Sequence, residues 1–350
     1  MTPNDLDLAP EAPAAAAGVP VIDVAELAHG INPRVTHEIA SACETWGFFQ
    51  VVNHGIEASL CDEVWARTRW FFAQLADAKE SLLRTRDNPW GYYNNELTKN
   101  QRDRKEVFDL TDDGVDPIYA ASNRWPTGND GQRFRRTLSE YRDACRSLSL
   151  RLLDAMTAGL DVDPIEIRRC FDPHHTGFLR LNYYPVADPL VGRSDVPHLP
   201  EADRGVHHHT DAGGLTVLMQ DNVGGLQVYR DGLWHGVPSL PGALVINTGD
   251  MLQVWSNDRY RAAMHRVVAM RQTDRYSLPF FFNPAAGTIV EPLAPLIGAD
   301  RPSRYRAIDW SEFRFRRTDG DYADVGEEVQ IAQYRRGEGR SNPAAAQPSH

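Results

Sequence analysis

The sequence predicts a mainly β protein with flanking helices, in which a helix-rich first half packs around a jelly-roll second half. After Gly177, short β-prone runs alternate with Gly, Pro, Asp and Asn turns, a pattern typical of an all-β sandwich or barrel. Before Gly177, long stretches carry apolar side chains at helical spacing. This change in character places an approximate boundary near residue 175. The two halves on either side of it can share one hydrophobic core.

The first half contains the predicted helices. Apolar residues recur at intervals of three and four residues over 35–46, 60–83 and 134–160, which is the spacing of an amphipathic helix. A shorter helix begins at Pro164 and reaches about Cys170. Strands are predicted at 19–25, 47–55 (ending in a turn) and 106–110, and an aromatic loop at 89–95.

The second half contains the strands of the predicted jelly roll. Each run is short and bounded by turn-forming residues, as expected for strands that pair in a sandwich or barrel. The predicted strands are 178–184, 205–210, 215–220, 226–229, 233–237, 243–248, 251–254, 261–270 and 276–283.

Both ends of the chain are predicted to be disordered tails. Residues 1–18 are rich in Ala, Pro and Asp and lack lysine, arginine and an apolar core, so they resemble neither a signal peptide nor a transit peptide. Residues 336–350 have a similar character. The predicted organisation is therefore a helix-rich region over 19–175 and a jelly-roll domain over 176–335, flanked by the two tails.

Composition and charge exclude several classes of protein. The net charge of −11 argues against nucleic acid or an anionic membrane as partner, and no apolar run approaches the roughly 18 residues of a membrane span. The chain has neither a phosphate-binding G-x-x-x-x-G-K-[ST] loop nor a supported G-x-G-x-x-G turn. Its four cysteines form no C-x-x-C pair, which favours buried thiols in a reducing cytoplasm. We predict a cytoplasmic monomer or weak homo-oligomer.

The triplet His209-Thr210-Asp211 is the first candidate metal-binding motif. Side chains at i and i+2 of a strand point to the same face, so His209 and Asp211 can reach one ion. Alone, the triplet is more typical of a loop histidine beside an exposed aspartate. The preceding His207 and His208 lack a carboxylate two residues later. Either could support the metal ligands from behind or be exposed, and we expect one of them to be exposed.

His265 is the candidate third ligand. It lies in a β-prone run some 50 residues after the triplet, which fits a strand that returns beside the first in a double-sheet barrel. A closed zinc site would need a fourth protein ligand, and none is evident near these strands. Two imidazoles and one carboxylate with open positions are instead typical of Fe(II) that handles O2.

Arg275 and Ser277 are the candidate anion-binding pair. They lie two residues apart on a β-prone run and are therefore expected to share a face. An arginine fork binds a carboxylate through two parallel hydrogen bonds, and a serine hydroxyl adds a third. The alternative is an edge-strand arginine in solvent, which is the commoner environment of arginine.

The chain resembles the isopenicillin N synthase-like branch of the Fe(II)/2-oxoglutarate-dependent oxygenases. The resemblance extends over roughly residues 19–330 and rests on motifs that occur in order. These motifs are PVID at 20–23, WGFFQVVNHG at 46–55, KEVFD at 105–109, LNYYP at 181–185, HTD at 209–211, GGLQV at 224–228, NTGD at 247–250, HRV at 265–267 and RYSLPFF at 275–281.

The resemblance implies a distorted double-stranded β-helix (jelly roll) with an N-terminal helical extension, and it assigns roles to the candidate residues. It implies that His209, Asp211 and His265 bind Fe(II), and that Arg275 and Ser277 hold the distal carboxylate of the co-substrate 2-oxoglutarate. Asn182 and Tyr184 match positions near the co-substrate, whereas His54 matches a structural position. The implied activity is O2-dependent oxidation of a small molecule, by hydroxylation, desaturation or cyclisation, with release of succinate and CO2. Small-molecule secondary metabolism or amino-acid modification is the expected setting.

The substrate pocket is less well defined by the sequence. The aromatic residues Trp90, Tyr92 and Tyr93, together with Phe281 on a predicted barrel strand, are candidates to line it. Ordinary packing explains their aromatic character equally well. The sequence does not identify the substrate.

Two other functions are compatible with the sequence. One is an Fe(II) oxidase of the isopenicillin N synthase or ACC oxidase type, which keeps the iron but does not use 2-oxoglutarate; such enzymes also carry an R-x-S, so Arg275 and Ser277 do not exclude it. The other is a catalytically silent barrel that binds a small ligand, and the intact set of three candidate ligands argues against it.

Overall fold

The computed structural model describes residues 6, 9–13, 18–98, 101–188, 190, 204–322, 326 and 328–337. Its helices are α1 (Pro33–Thr45), α2 (Ala58–Phe72), α3 (Ala76–Glu80), α4 (Gly128–Ala158), α5 (Ile165–Arg168), α6 (Asp250–Trp255) and α7 (Trp310–Asp319), with short 3-10 turns at Ala25–His29, Ala294–Leu296 and Ile331–Tyr334. Within these described residues, none of the helices has both the length and the apolar character needed to cross a bilayer.

Twelve of the described strands form the two facing sheets of the predicted jelly roll, and the other four form two separate two-stranded sheets. In chain order the strands are β1 (Val21–Asp23), β2 (Phe48–Val52), β3 (Gly91–Tyr93), β4 (Leu97–Thr98), β5 (Gln101–Arg102), β6 (Glu106–Leu110), β7 (Phe178–Tyr184), β8 (Arg204–His209), β9 (Leu215–Gln220), β10 (Leu226–Arg230), β11 (Leu233–Gly236), β12 (Leu244–Thr248), β13 (His265–Val268), β14 (Arg275–Phe282), β15 (Ile289–Val290) and β16 (Ile308–Asp309). The large sheet has eight strands in the order β1-β2-β12-β9-β14-β7-β6-β3, and the small sheet has four in the order β11-β10-β13-β8. The two-stranded sheets are β4-β5 and β15-β16.

The large sheet is buried on both faces because its side chains alternate between two cores. On β14, Leu278, Phe280 and Phe282 pack with the helices in the larger hydrophobic core, while Arg275 and Ser277 face a cavity. Successive side chains of a strand point to opposite faces, so one strand supplies both the packing and the site. The smaller core lies between the two sheets.

The helix-rich first half contributes strands to the same sheet as the second half. β2 pairs with β12, and β6 pairs with β7. Helix α4 is 31 residues long and buries an apolar stripe against this sheet and against α1 and α2. The two halves therefore share one core, and the family fold expected from the sequence, a jelly roll with an N-terminal helical extension, is confirmed.

Several elements differ from their predicted bounds. Residues 251–254, predicted as a strand, lie in helix α6, because an apolar run buried on all sides carries no periodicity that separates helix from strand. The helix predicted over 60–83 is broken after Phe72, where Leu75 is 82% exposed. The predicted loop at 89–95 contains β3, which pairs with β6.

Most of the two predicted tails lies outside the described residues. Within the described part of the first tail, the backbone N–H of Ala12 donates to the carbonyl of Trp234, and the N–H of Trp234 donates to the carbonyl of Pro10. The described part of the segment before residue 18 therefore adds an isolated bridge to the edge of the small sheet.

Candidate functional site

Two neighbouring strands of the small sheet bring the candidate histidines together. β13 pairs with β8 so that His265 lies directly opposite His209, and their ring centroids are 4.3 Å apart. Asp211 follows β8 by two residues. One potential ligand atom of each of these three residues lies within 4.8 Å of the others. The three side chains that the sequence singled out therefore converge on one point.

Hydrogen bonds orient both imidazoles toward the carboxylate. The Nδ1 atom of His209 lies 2.8 Å from the carbonyl oxygen of His207, and that of His265 lies 3.0 Å from the carbonyl of Ala263. A carbonyl can only accept, so Nδ1 carries the proton and Nε2 keeps its lone pair. The two Nε2 atoms lie 3.6 and 3.7 Å from Asp211 Oδ1. This is the tautomer and orientation that a metal-binding histidine requires.

The carboxylate of Asp211 is held by its other oxygen. Oδ2 accepts hydrogen bonds from Thr216 Oγ1 at 2.5 Å and from Asn247 Nδ2 at 2.7 Å. Thr216 lies on β9 and Asn247 on the neighbouring β12, both in the large sheet. The large sheet therefore positions the side chain of Asp211, which follows β8 of the small sheet. Oδ1 is left facing the two imidazoles.

The protonation states suit a cation at this point. Burial and the neighbouring His265 lower the pKa of His209 to about 3, so its imidazole is neutral at physiological pH. Burial opposes ionisation of Asp211, but the two imidazoles and its hydrogen-bond donors outweigh it and lower the pKa of this carboxyl. A neutral imidazole at His209 and an ionised carboxylate at Asp211 result.

The candidate anion-binding residues lie on two other neighbouring strands. β14 pairs with β7 so that Arg275 faces Tyr184 and Ser277 faces Asn182 across the strands. The Arg275 guanidinium is 4.8 Å from the centre of the Tyr184 ring, and its Nη1 donates to Ser277 Oγ at 3.3 Å. Asn182 Nδ2 lies 3.4 Å from the same hydroxyl. The four side chains form one polar group on the interior face.

This polar group contains a buried charge and two buried atoms without partners. Arg275 is 1% exposed, and among the described residues no carboxylate lies within ion-pair distance of it. Its Nε and the Oδ1 of Asn182 have no hydrogen-bond partner in that same part of the chain. Because an uncompensated buried charge is costly, the group is suited to an anionic ligand.

The candidate metal ligands and the Arg275 group line the same cavity. Its volume is about 70 Å³, and Phe48, Leu218 and Phe281 contribute apolar walls, which leaves room for several water-sized groups. A second cavity of about 120 Å³ adjoins it, and the two share Lys105 and Arg180 among their lining residues.

Lys105 and Arg180 are cavity residues that sequence reasoning missed. Lys105 Nζ lies 2.6 Å from Glu96 Oε2 and 3.0 Å from Asp103 Oδ2, and Arg180 pairs with Asp109 at 2.7 Å. A signal for Arg180 was present. On β7 it alternates with Asn182 and Tyr184, so the period of two already placed it on the interior face.

Three of the predicted pocket residues lie elsewhere. Tyr92 is buried against β6, where its hydroxyl donates to Glu106 at 2.7 Å, and Tyr93 packs on Tyr322. Trp90 is buried behind Phe178. None of the three lines either cavity, whereas Phe281 lines both. The sequence of an aromatic run does not show which of its side chains face a cavity. Here β3 lies at the edge of the large sheet, and the aromatic side chains pack against neighbouring residues instead.

The expectation that His207 or His208 is exposed is wrong. Both are buried, and His207 Nδ1 lies 2.9 Å from Asp103 Oδ1. That carboxylate is 104 residues away in sequence, so no local pattern could reveal it. His54 is structural as expected, because its ring bonds to the backbone of Ile56 and Gly242.

A jelly roll that positions two histidines and a carboxylate inside its barrel is the architecture of a non-haem iron oxygenase. Residues 175–284 match the family model of the 2OG-Fe(II) oxygenase superfamily, and residues 19–128 match that of the non-haem dioxygenase in morphine synthesis N-terminal region. 1-Aminocyclopropane-1-carboxylate oxidase 5 of Arabidopsis thaliana is 34% identical over 88% of this chain and 93% of its own length. Gibberellin 20 oxidase 1-B of Triticum aestivum is 32% identical over 83% and 79%.

Solved structures agree with these matches. JOX2 in complex with 2OG, Fe and JA is similar with a TM-score of 0.74 at 30% identity, over 92% of this chain and 91% of that one. The dioxygenase for auxin oxidation in rice gives a TM-score of 0.68 at 26% identity, over 91% and 99%. The chain therefore belongs to the Fe(II)/2-oxoglutarate-dependent dioxygenase family. It is an oxidoreductase, and the cofactor and co-substrates of its family are Fe(II), 2-oxoglutarate and O2.

Proposed function

We propose that His209, Asp211 and His265 hold Fe(II), and that Arg275 and Ser277 hold the distal carboxylate of 2-oxoglutarate in an enzyme that oxidises a small molecule. The observation that carries this proposal is the shared cavity. Three potential metal-ligand atoms and an unpaired buried guanidinium line one space of about 70 Å³. Products would be succinate, CO2 and an oxidised substrate.

The donor set fits iron. Two neutral imidazoles and one carboxylate suit Fe(II) and leave positions open for other ligands, whereas a closed zinc site would use four protein donors. Among the described residues, His209, Asp211 and His265 form the group of metal-binding side chains that meets this geometry.

The polar group around Arg275 fits a dicarboxylate. A bidentate carboxylate would neutralise the guanidinium and give its Nε or Nη atoms an acceptor, and Ser277 Oγ is already within 3.3 Å of Nη1. The Tyr184 ring beneath the guanidinium limits its rotation, so that the fork is presented in one orientation. Asn182 extends the polar surface toward the metal-binding end of the cavity.

Each group of side chains has a defined role at the proposed site. When bound, iron supplies the activation of O2 and the oxidation of the substrate. Thr216 and Asn247 keep the Asp211 carboxylate oriented, and the backbone carbonyls of His207 and Ala263 keep both Nε2 atoms available. Phe48, Leu218 and Phe281 form the apolar part of the cavity wall beside these polar groups.

Replacing Thr216 by valine should weaken Fe(II) binding by about 10- to 100-fold, the usual cost of removing a hydrogen-bond partner of a metal ligand. The reason is that the Asp211 Oδ2 atom loses one of its two donors. Thr216→Ser is the matched control, because it keeps the hydroxyl and should retain nearly full affinity. Anaerobic titration with Fe(II) measures both. Equal affinities for the valine and serine variants would contradict the positioning role.

Replacing Arg275 by lysine should raise the KM for 2-oxoglutarate by about 10- to 100-fold, because the two parallel hydrogen bonds of the fork are lost while the charge remains. Iron content should be unchanged. The exposed Arg271 provides the control Arg271→Lys, which should have the wild-type KM. An unchanged requirement for 2-oxoglutarate in Arg275→Lys would show that the anchor lies elsewhere.

Measurement of succinate separates the proposal from the oxidase alternative. The proposed enzyme forms succinate from 2-oxoglutarate in an Fe(II)- and O2-dependent reaction, at a slow basal rate without prime substrate and faster with it. An oxidase that does not use 2-oxoglutarate consumes O2 without forming succinate, and a silent barrel does neither.

The setting of the reaction follows from charge and composition. A chain with a net charge of −11 is repelled by nucleic acid and anionic membranes. A small molecule is therefore the proposed substrate. Secondary metabolism is the proposed context of the reaction. We place the enzyme in the cytoplasm as a monomer or weak homo-oligomer.

A further inference from the structure

The cavity of about 120 Å³ beside the candidate metal site has an aromatic boundary. Phe178 and Phe281 line it and stack on each other with ring centroids 4.7 Å apart. Trp90 packs behind Phe178 at 5.6 Å, and Tyr119 meets Trp90 edge-on at 6.2 Å. We call Phe178 and Phe281 the aromatic wall. Because the buried Trp90 packs behind it, the wall offers a firm apolar surface next to the reaction centre.

Most cations that line this cavity already have partners. Lys105 and Arg180 pair with the carboxylates described above. Arg317 lies 3.4 Å from Glu328 and donates to the carbonyl of Thr210 at 2.9 Å. These three positive charges are therefore compensated by the protein itself and leave little net attraction for an anion.

Arg314 differs from them. It lies on α7 and lines the same cavity, with its guanidinium carbon 4.6 Å from the centre of the Phe178 ring. Within the ranges that the structure describes, its guanidinium has no hydrogen bond and no ion pair. Asp116 exerts an electrostatic influence on it, but no ion pair joins the two side chains, and Asp116 Oδ1 accepts hydrogen bonds from the backbone N–H groups of Ile118 and Tyr119.

An unpaired guanidinium over an aromatic ring selects one kind of ligand. Its planar fork presents parallel N–H donors that match a carboxylate, and partial burial strengthens the attraction. A single uncompensated positive charge balances a monoanion, so a carboxylate fits better than a phosphate dianion. The adjoining aromatic wall offers an apolar surface to the rest of the ligand.

We propose that the prime substrate is an amphipathic carboxylic acid, whose carboxylate pairs with Arg314 and whose apolar body lies against the aromatic wall. The proposal rests on the function proposed above, because it places this acid beside the Fe(II) and 2-oxoglutarate site. Arg314 is distinct from Arg275, so the enzyme holds two carboxylates at two separate arginines, one from the co-substrate and one from the substrate.

A panel of acids and their neutral counterparts tests the proposal. The probes are phenylacetate, 3-phenylpropionate and octanoate, each compared with its primary amide, which has nearly the same shape but no charge. Succinate formation is measured with Fe(II), 2-oxoglutarate and O2, and the basal rate without probe is subtracted. We expect at least one acid to accelerate succinate formation with a kcat/KM about 10- to 100-fold above that of its amide.

Variants on one helix then assign the preference to a residue. Arg314→Gln should abolish the difference between acid and amide by raising the KM for the acid, and Arg314→Lys should keep an intermediate preference. The control is Arg316→Gln, because Arg316 lies on the same helix with a side chain 48% exposed and lines neither cavity. It should keep the wild-type preference. Circular dichroism confirms that each variant is folded.

The outcomes separate this proposal from the function on which it rests. If the wild-type enzyme forms succinate at its basal rate but responds equally to acids and amides, or to no acid of the panel, the carboxylate site is refuted while the oxygenase proposal stands. A preference that survives in Arg314→Gln also refutes it. Absence of any Fe(II)-dependent succinate formation refutes both.

Discussion

Replacing Asp211 by alanine should lower Fe(II) affinity by more than about 100-fold, beyond the loss typical of an outer hydrogen-bond partner, and should abolish turnover. Asp211 Oδ1 is the sole carboxylate donor near the two imidazoles among the described residues, at 3.6 and 3.7 Å from their Nε2 atoms. Without it, two neutral nitrogens remain, and they offer Fe(II) no compensating negative charge. Iron content after anaerobic loading and desalting measures the effect.

The matched control for this change is an aspartate far from the cavity. Asp113 has a side chain 51% exposed in a surface ion pair with Arg135, so Asp113→Ala should retain full iron content and activity. Stoichiometric iron in Asp211→Ala, or turnover comparable to that of the wild type, would remove this residue from the proposed site.

The second large effect is expected for stability. Glu96 lies among three cations, with Arg84 and Lys105 each 2.6 Å from its carboxylate and Arg180 at 2.8 Å. Glu96→Gln should reduce the free energy of unfolding by about 3–5 kcal/mol, because it leaves buried positive charges with insufficient compensation. Urea denaturation measures the change.

The pH dependence of this effect follows from the ionisation of Glu96. Burial opposes ionisation, but the surrounding cations outweigh it and hold the pKa of this carboxyl well below its ordinary value of 4.5. A carboxyl whose pKa is depressed by folding contributes stability above its unfolded pKa and loses that contribution as pH falls through the folded pKa. The difference between wild type and Glu96→Gln should therefore be full above about pH 4.5 and shrink below it.

A surface ion pair provides the comparison. Glu38 pairs with Arg34 on α1, and both side chains are largely exposed, so Glu38→Gln should change the free energy of unfolding by less than about 0.5 kcal/mol. A similarly small change for Glu96→Gln, or a difference from wild type that does not shrink in acid, would show that the buried network contributes little.

The parts of the fold that follow from local periodicity could be predicted from the sequence. The two-residue period correctly placed Arg275 and Ser277 on one face of β14, and the structure adds that β7 brings Asn182 and Tyr184 opposite them. The helical spacing over 134–160 corresponds to α4, which begins earlier, at Gly128, and ends at Ala158. These are consequences of side-chain geometry that hold before any tertiary contact forms.

The parts that depend on distant partners could not be predicted in the same way. Burial of His207 depends on Asp103, and the compensation of Lys105, just before β6, depends on Glu96, which lies before β4. The sequence of the aromatic run at 90–93 does not indicate that it packs at the edge of the sheet. Phe178 lines the second cavity, but its sequence context predicts only that it belongs to a strand. Arg314 lies on α7, a helix that is not predicted from local periodicity.

The most direct test of the shared site is anaerobic addition of Fe(II) and then 2-oxoglutarate, followed by visible absorption. If three protein ligands and Arg275 lie around one cavity as proposed, the wild-type protein should develop the weak visible charge-transfer band of an iron-bound 2-oxo acid, at one iron per chain. Arg275→Lys should require more 2-oxoglutarate to form the band, and Asp211→Ala should not form it. A wild-type protein that binds iron but forms no band at saturating 2-oxoglutarate would contradict the account.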